Sequence, residues 1–278
     1  MRESPDGKIP KGSGKVRARN NEVIKPLIPK IVHQFKPSDD LNIIITSASG
    51  GSGAVYAQHL LNHFLEKNKP VIVFVVSSTS SVIEVENSIK TLKSFQQSAS
   101  RFRTPVVISH WQNDRITTEA EVDDGILALT DRIRVLYSGE NRKLDNEDLI
   151  NFLNYTAVTN RQAKLVYLHI YDETQEVPAA ENGKGVDNID IITVASLAKE
   201  GMDTTFILPV EYQTVGFVRE ETITMREPMH LCVADGLAVN ALRSLENQLN
   251  QFKSAIGERR QDDTIYTDDA GQGEDIYL

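Results

Sequence analysis

The stretch that decides the fold covers residues 41–66 and reads LNIIITSASGGSGAVYAQHLLNHFLE. It opens with an apolar run over 41–46, which is typical of a buried strand. Over 54–66 the apolar residues recur with the period of a helix. Between the two lies a turn of small residues over 47–53, with the sequence SASGGSG. We therefore expect a strand, a glycine-rich turn and a helix in direct succession.

The same alternation of strand and helix continues beyond this stretch. The predicted segments are a helix over 20–35 interrupted near Pro26 and Pro29, strands over 71–76 and 104–110, and helices over 81–97 and 118–137. Strands that alternate with helices form a parallel sheet with helices on its faces. The first half of the chain is thus predicted to be an α/β domain with helices on both faces of a parallel sheet.

After Gly139 the pattern changes to a short helix, several strand-like segments and one long helix. The predicted segments are a helix over 145–155, strands over 165–171, 189–194, 204–210 and 214–219, and a helix over about 231–256. They indicate a smaller mixed α+β domain. The predicted organisation is a flexible arm over 1–19, a first domain over 20–139 that ends in a central helix, a second domain over 140–256, and an acidic disordered tail over 257–278.

Composition excludes several classes of protein. The chain has 278 residues and a net charge of −9, with a pI near 5.2. A general nucleic-acid binder needs a basic field, so direct nucleic-acid binding is not expected. No stretch approaches the roughly 20 apolar residues that span a bilayer, so membrane insertion is not expected either. One cysteine, Cys232, allows no intramolecular disulfide, and no zinc-ligand spacing is present. A cytoplasmic location fits these features.

The glycine-rich turn is the main candidate binding element. Its residues are Ser47, Ala48, Ser49, Gly50, Gly51, Ser52 and Gly53. Backbone N–H groups at such a turn can surround an anion, and the following helix adds partial positive charge. The turn is neither a Walker A loop nor a Rossmann fingerprint. The alternative interpretation is a tight strand-to-helix turn in which glycine merely permits close packing.

Four segments in the same order resemble the tubulin/FtsZ superfamily. Residues 46–53 resemble its Gly-Gly-Gly-Thr-Gly-Thr-Gly phosphate loop, and 106–114 resemble its Leu-Ile-Thr-Ile-Pro-Asn-Asp segment. The helix over 119–137 takes the place of the central helix. Residues 143–149, KLDNEDL, resemble the Asn-Val-Asp-Phe-Ala-Asp-Val loop, with Lys143 where the family has asparagine. A long terminal helix followed by an acidic tail is similar to the tubulin-like proteins of bacteriophages and plasmids.

This resemblance implies a GTP-binding protein that assembles head-to-tail into filaments and hydrolyses GTP on assembly. Asp145 and Asp148 would enter the nucleotide site of the next subunit and polarise the attacking water. Mg²⁺ would be bound through GTP or GDP, so the protein alone would supply no metal site. For a chain of phage origin, the location would be the host cytoplasm. Read without the family, the two aspartates are better explained as the cap of the helix that they begin, and the resemblance reverses this preference.

Further residues are weaker candidates for nucleotide contacts. Gly12, Ser13 and Gly14 resemble a glycine-rich loop of the family, and Lys15, Arg17 and Arg19 could approach the γ-phosphate. Asn113, Asp114, Asp123 and Asp124 are candidates for ribose or base contacts, because they lie at a predicted strand end and helix start.

Compared with the family, we expect the strand–helix units with which a family member begins to be missing before the point where this chain starts. Their absence keeps an alternative open, namely a non-catalytic structural or interaction protein that has the fold but weak or no nucleotide binding. An unrelated doubly wound domain that binds another phosphorylated metabolite is a third possibility. The acidic tail could bind a filament adaptor or the neighbouring subunit, or serve only to solubilise the chain.

Overall fold

A computed structural model describes residues 17–114, 116–138, 143–171, 189–206, 208–218 and 227–268. The helices are α1 (Ala18–Ile24), α2 (Ile28–Gln34), α3 (Gly53–Glu66), α4 (Val82–Phe102), α5 (Glu119–Leu136), α6 (Asn146–Leu153) and α7 (Leu237–Asp268). The strands are β1 (Asn42–Ser47), β2 (Val71–Ser78), β3 (Val106–Asn113), β4 (Leu165–Tyr171), β5 (Asp190–Lys199), β6 (Tyr212–Val218) and β7 (Met229–Asp235). Short 3-10 turns lie at Lys25–Leu27 and Tyr155–Ala157.

The strands form one seven-stranded sheet in the order β1-β2-β3-β4-β7-β5-β6. Strands β1 to β4 are parallel, as are β5 and β6, while β7 runs antiparallel to both of its neighbours. The predicted α/β class, a parallel sheet covered by helices, is confirmed. The sheet is continuous across the predicted boundary near residue 139.

Each face of the sheet has its own hydrophobic core. On one face α3, α4 and α7 cover Val73, Val75 and Ile108. On the other face α5 and α6 cover Ile72 and Phe74. Neighbouring residues of β2 therefore point to opposite cores, which explains why this strand reads as a continuous apolar run.

Strand β1 lies at an edge of the sheet, and one of its faces is uncovered. Ile44 is buried, but Ile43 is 36% and Ile45 59% exposed. Among the described residues, no strand pairs with the outer edge of β1.

Two sequence predictions in the second half were wrong. The predicted helix start at Leu231 lies inside strand β7, and α7 begins only at Leu237, after Gly236 with a φ of 93°. A short buried apolar run gives no period that separates strand from helix, which explains the error. The segment predicted as a strand over 204–210 forms none in its described residues. Pro209 in that segment has no N–H to donate to a sheet ladder.

The end of α7 also differs from the prediction. The helix extends to Asp268, so the segment over 257–268, predicted as disordered tail, is helical. Residues 269–278 lie outside the described part of the chain. Near the N-terminus, the predicted interruption at the two prolines is confirmed by the 3-10 turn between α1 and α2. Within the described ranges, no helix combines the length and apolar character needed to cross a membrane.

Candidate functional site

The glycine-rich loop joins the carboxyl end of β1 to the start of α3. The Ala48 N–H donates to the carbonyl of Val76 at 2.7 Å, which continues the β1–β2 ladder by one residue. The hydroxyls of Ser47 and Ser49 are 2.9 Å apart and hydrogen-bonded. The loop therefore starts from a fixed strand end, at the edge of the sheet where ligands of α/β proteins bind.

Five successive backbone N–H groups of the loop, after that of Ala48, lack a partner in the described part of the chain. Among the described residues, none offers a hydrogen-bond acceptor to the N–H groups of Ser49, Gly50, Gly51, Ser52 and Gly53. Ser49 and Gly51 are buried, Gly50 and Ser52 are half-buried and Gly53 is exposed, so water reaches the buried members of the row least freely. Unpaired donors in a buried turn are costly unless a ligand accepts from them. Five successive unpaired donors at a helix N-terminus are an arrangement that suits an anion, so the loop remains the main candidate binding element.

The glycines of the loop are not needed for packing within the chain. A Cβ added at Gly50 would come no closer than 3.7 Å to any other atom, and one at Gly53 would lie 3.4 Å from the Thr46 hydroxyl. Both values are ordinary contacts. Among the described glycines only Gly201 and Gly236 have a positive φ. Internal packing therefore does not account for glycine at these two loop positions.

The N-terminal helix reaches the loop from one side. Asn20 Nδ2 donates to the Ser52 hydroxyl at 3.2 Å. The Arg17 guanidinium donates to Asn87 O at 3.2 Å and to the Thr91 hydroxyl. Burial lowers the pKa of Arg17 from its ordinary value. Arg17 thus contacts α4, and not the loop opening as its candidate role at the γ-phosphate suggested.

Several of the N-terminal candidates lie outside the described residues. They are Gly12, Ser13, Gly14 and Lys15. Nothing is described of the Arg19 side chain.

Two buried polar residues of α4 donate hydrogen bonds to the backbone carbonyl groups of the loop. Asn87 Nδ2 donates to the Ser49 carbonyl at 3.1 Å, and Thr91 Oγ1 donates to the Ala48 carbonyl at 2.9 Å. Sequence reasoning missed both. The available signal was that they stand four residues apart on one face of α4, where a helix over a parallel sheet normally carries apolar residues.

The end of β3 carries polar atoms that lack a partner. Asn113 Oδ1 and Trp111 Nε1 are buried without a hydrogen-bond partner among the described residues. The Trp111 ring lies directly on α5 at Gly125, where an added Cβ would be 2.5 Å from the ring. Gly125 therefore lets α5 approach this strand end closely. Asn113 keeps a free acceptor there, as its candidate role in ribose or base contacts requires.

The three other candidates nearby are solvent-exposed. Asp114 accepts from the N–H groups of Thr117 and Ile116, and these hydrogen bonds hold its pKa below the usual value. Asp123 and Asp124 lie exposed on α5. Asp114 thus has a local structural role, in which it closes the turn between β3 and α5.

Asp145 and Asp148 form a complete capping box at the start of α6. Asp145 Oδ1 accepts from the Asp148 N–H at 3.0 Å, and Asp148 Oδ2 accepts from the Asp145 N–H at 3.3 Å. Asp148 Oδ1 also accepts from the Tyr212 hydroxyl at 3.1 Å. The two aspartates therefore cap α6 within this chain, as the capping interpretation predicted. Lys143, the departure from the family motif, lies over the Phe217 ring at 4.7 Å.

The acidic pair and the glycine-rich loop lie at opposite ends of the sheet. Asn146 Nδ2, in the first turn of α6, donates to Asp40 at 2.5 Å, and Asp40 lies two residues before the start of β1. The loop follows the other end of that strand, which has six residues and is thus roughly 20 Å long. The aspartates of one molecule cannot reach the loop of the same molecule.

Comparison with known proteins gives a consistent relationship, although no protein-family model matches the chain. The phage tubulin-like protein of Pseudomonas phage phiKZ is 28% identical over 262 residues, which are 93% of this chain and 76% of that protein. A solved protofilament of TubZ from bacteriophage PhiKZ has a TM-score of 0.79 at 25% identity, covering 99% of this chain and 80% of that one. The phage tubulin PhuZ, solved with GDP, has a TM-score of 0.79 at 18% identity, covering 96% and 79% of the two chains.

These matches extend over nearly the whole chain. The resemblance predicted from the glycine-rich loop and the segments after it is therefore confirmed. This chain is homologous to the phage tubulin-like proteins and has the fold of the tubulin/FtsZ superfamily.

Proposed function

We propose that this protein binds a guanine nucleotide at the loop over 47–53, assembles head-to-tail into filaments, and hydrolyses GTP at the junctions between subunits. The observation that carries the proposal is the row of unpaired N–H groups from Ser49 to Gly53 at the start of α3. These donors fit the oxygens of a nucleotide phosphate chain, which carry concentrated negative charge. The phage tubulin PhuZ solved with GDP supports the choice of a guanine nucleotide.

The base and ribose would lie beside the end of β3. Asn113 offers a buried acceptor without a partner among the described residues. A guanine ring presents N–H donors on one edge, so an amide oxygen at this place suits it. Asp123 and Asp124, at the start of α5, are the remaining candidates for ribose contacts. Mg²⁺ prefers oxygen ligands and would enter with the phosphates, where its charge would offset that of the phosphate oxygens.

The position of the acidic pair supports assembly in one direction. In a head-to-tail contact the end of one subunit that carries Asp145 and Asp148 faces the loop end of the next. Such a heterologous contact repeats without closing and gives open filaments. The solved protofilament of TubZ from bacteriophage PhiKZ is an assembly of this open kind in a relative.

The chemistry at such a junction needs little from the protein beyond positioning and charge. The loop N–H groups would stabilise charge on the phosphate oxygens, and a carboxylate of the neighbouring subunit would orient the attacking water. In the isolated chain, backbone N–H groups and the Tyr212 hydroxyl hold both aspartates in place. The capping box thereby presents the carboxylates rigidly, so the structural and the proposed catalytic role are compatible.

The test is the dependence of GTP hydrolysis on protein concentration. If the site forms only between subunits, the rate per molecule should rise steeply with concentration and level off when assembly is complete. A rate per molecule that stays constant at all concentrations would contradict the shared site. Absence of GTP binding, measured as the lack of any shift in melting temperature with GTP, would instead favour a non-catalytic structural protein.

A further inference from the structure

Helix α4 binds two successive carbonyl groups of the glycine-rich loop, those of Ala48 and Ser49. Thr91 Oγ1 donates to Ala48 O at 2.9 Å, and Asn87 Nδ2 donates to Ser49 O at 3.1 Å. Both side chains are buried, at 0% and 3% exposure. A polar side chain in a core is tolerated when its hydrogen bonds are satisfied, and here the loop backbone satisfies them.

These two contacts also fix the direction of two N–H groups. In a planar trans peptide unit the C=O and N–H bonds point in opposite directions. The Ala48 carbonyl belongs to the same unit as the Ser49 N–H, and the Ser49 carbonyl to the same unit as the Gly50 N–H. Because both carbonyls point toward α4, both N–H groups point away from it. They are the first two donors of the unpaired row.

Arg17 completes this arrangement. The Thr91 hydroxyl has one proton and two acceptors in reach, Asn87 O at 2.8 Å and Ala48 O at 2.9 Å. The Arg17 guanidinium donates both to Asn87 O and to the Thr91 hydroxyl oxygen. By occupying the carbonyl of α4 and a lone pair of the hydroxyl, Arg17 favours donation of the Thr91 proton to the loop.

We propose that Asn87, Thr91 and Arg17 form a brace that aims the N–H groups of Ser49 and Gly50 at the nucleotide phosphates. This inference rests on the proposed nucleotide-binding function and adds three positioning residues to it. None of the three side chains needs to touch the nucleotide. They act through the loop backbone and orient its N–H donors before a ligand binds. The conformational entropy lost by ordering the loop is then lost during folding and does not reduce the affinity for the ligand.

The experiment compares Thr91→Val with Thr91→Ser in the full chain. Valine keeps the size of threonine but lacks the hydroxyl, and serine restores it. We expect Thr91→Val to weaken binding of GDP by about tenfold and Thr91→Ser to restore it. Affinity for guanosine, which has no phosphate, should not change in either variant. If Thr91→Val does not fold, Arg17→Gln, at a half-buried position, should weaken GDP binding in the same phosphate-dependent way.

The matched control is Ser88→Ala. Ser88 is a fully buried residue of the same helix, and its hydroxyl has no partner among the described residues. This variant removes a buried hydroxyl of α4 without touching the loop, and GDP affinity should stay at the wild-type value. Equal GDP affinity in Thr91→Val and Ser88→Ala would overturn the brace.

A second measurement separates the brace from the proposed function. NMR order parameters of the Ser49 and Gly50 amides, taken without nucleotide, should fall in Thr91→Val and stay unchanged in Ser88→Ala. If the wild-type protein binds neither GDP nor GTP, the proposed function fails. Lower amide order parameters in Thr91→Val alone would then still support a brace that orders the loop. Equal order parameters in the wild type and both variants would overturn the brace as well.

Discussion

The polar groups at the two ends of the sheet differ in whether they have hydrogen-bond partners in the described part of the chain. At the carboxyl end of β1, five consecutive N–H groups of the glycine-rich loop have no acceptor among the described residues. At the amino end, both carboxylates of the α6 start, Asp145 and Asp148, accept hydrogen bonds within the chain. The described loop thus keeps unpaired donors, whereas the acidic pair makes its hydrogen bonds within the chain. From this difference we expect the loop end to bind a ligand and the start of α6 to contact a partner subunit.

The largest expected effect follows from placing a negative charge in the loop. Gly50→Asp has room for its Cβ, so the fold should persist. Its carboxylate would repel phosphate and compete for the loop donors. Loss of several hydrogen bonds to a charged group should weaken GDP binding about 1,000-fold or more. Isothermal titration of GDP into the purified variant measures this.

The control for the added charge is Asn160→Asp, which places the same charge at an exposed position before β4. It should leave GDP affinity unchanged. Equal weakening in both variants would show that overall charge, and not the loop, governs binding.

The next effect concerns the opposite end. Asp148→Asn should lower GTP turnover by roughly 100-fold, the scale of a lost water-orienting or general-base group, and leave GDP affinity unchanged. The asparagine oxygen can still accept from Tyr212, which limits the loss of stability to about 1 kcal/mol for the weakened cap. Turnover at saturating GTP, measured together with the melting temperature, separates the two contributions.

Glu147→Gln is the matched control, since Glu147 is an exposed acidic residue of the same helical turn outside the capping box. Its turnover should equal that of the wild type. If Glu147→Gln and Asp148→Asn lose turnover equally, the acidic pair has no special role.

A smaller effect is expected from pH at the loop end. His110 lies near the end of β3 with its Nε2 2.8 Å from the Ser77 hydroxyl, and burial lowers its pKa to about 4. Between that value and the ordinary 6.5 the unfolded chain binds more protons than the folded one, so stability falls as the pH falls. The free energy of unfolding should drop by about 2 kcal/mol from this residue between pH 7 and pH 5.

Chemical denaturation of wild type and His110→Gln at both pH values isolates this contribution. The variant should show a shallower dependence on pH. His33→Gln, which changes an exposed histidine, should keep the wild-type dependence. Identical curves for wild type and His110→Gln would mean that His110 is not held neutral.

The sequence predicted the first four strands and the helices between them, because apolar runs alternate there with helical periods. It failed at β7, where Leu231 to Ala234 are as apolar as the start of a buried helix. For the site, glycine composition pointed to the loop, and a familiar motif pointed to Asp145 and Asp148. The brace could not be predicted, since the burial of Asn87 and Thr91 depends on how α4 packs over the loop.

The sequence also did not predict that the loop and the acidic pair lie at opposite ends of the sheet. Only the pairing of strands and the contact between Asn146 and Asp40 put the start of α6 at the amino end of β1. Because the two motifs lie at opposite ends of the sheet, one molecule cannot bring them together in one site.

Mixing two variants with low turnover tests the shared site most directly. Gly50→Asp has a defective loop and an intact acidic pair, whereas Asp148→Asn has the reverse. If the site forms between subunits, the acidic end of Gly50→Asp completes the loop of Asp148→Asn, and GTP turnover should rise on mixing well above the low turnover of each protein alone. Turnover that stays at the level of the separate variants, while sedimentation shows that they co-assemble, would contradict the account.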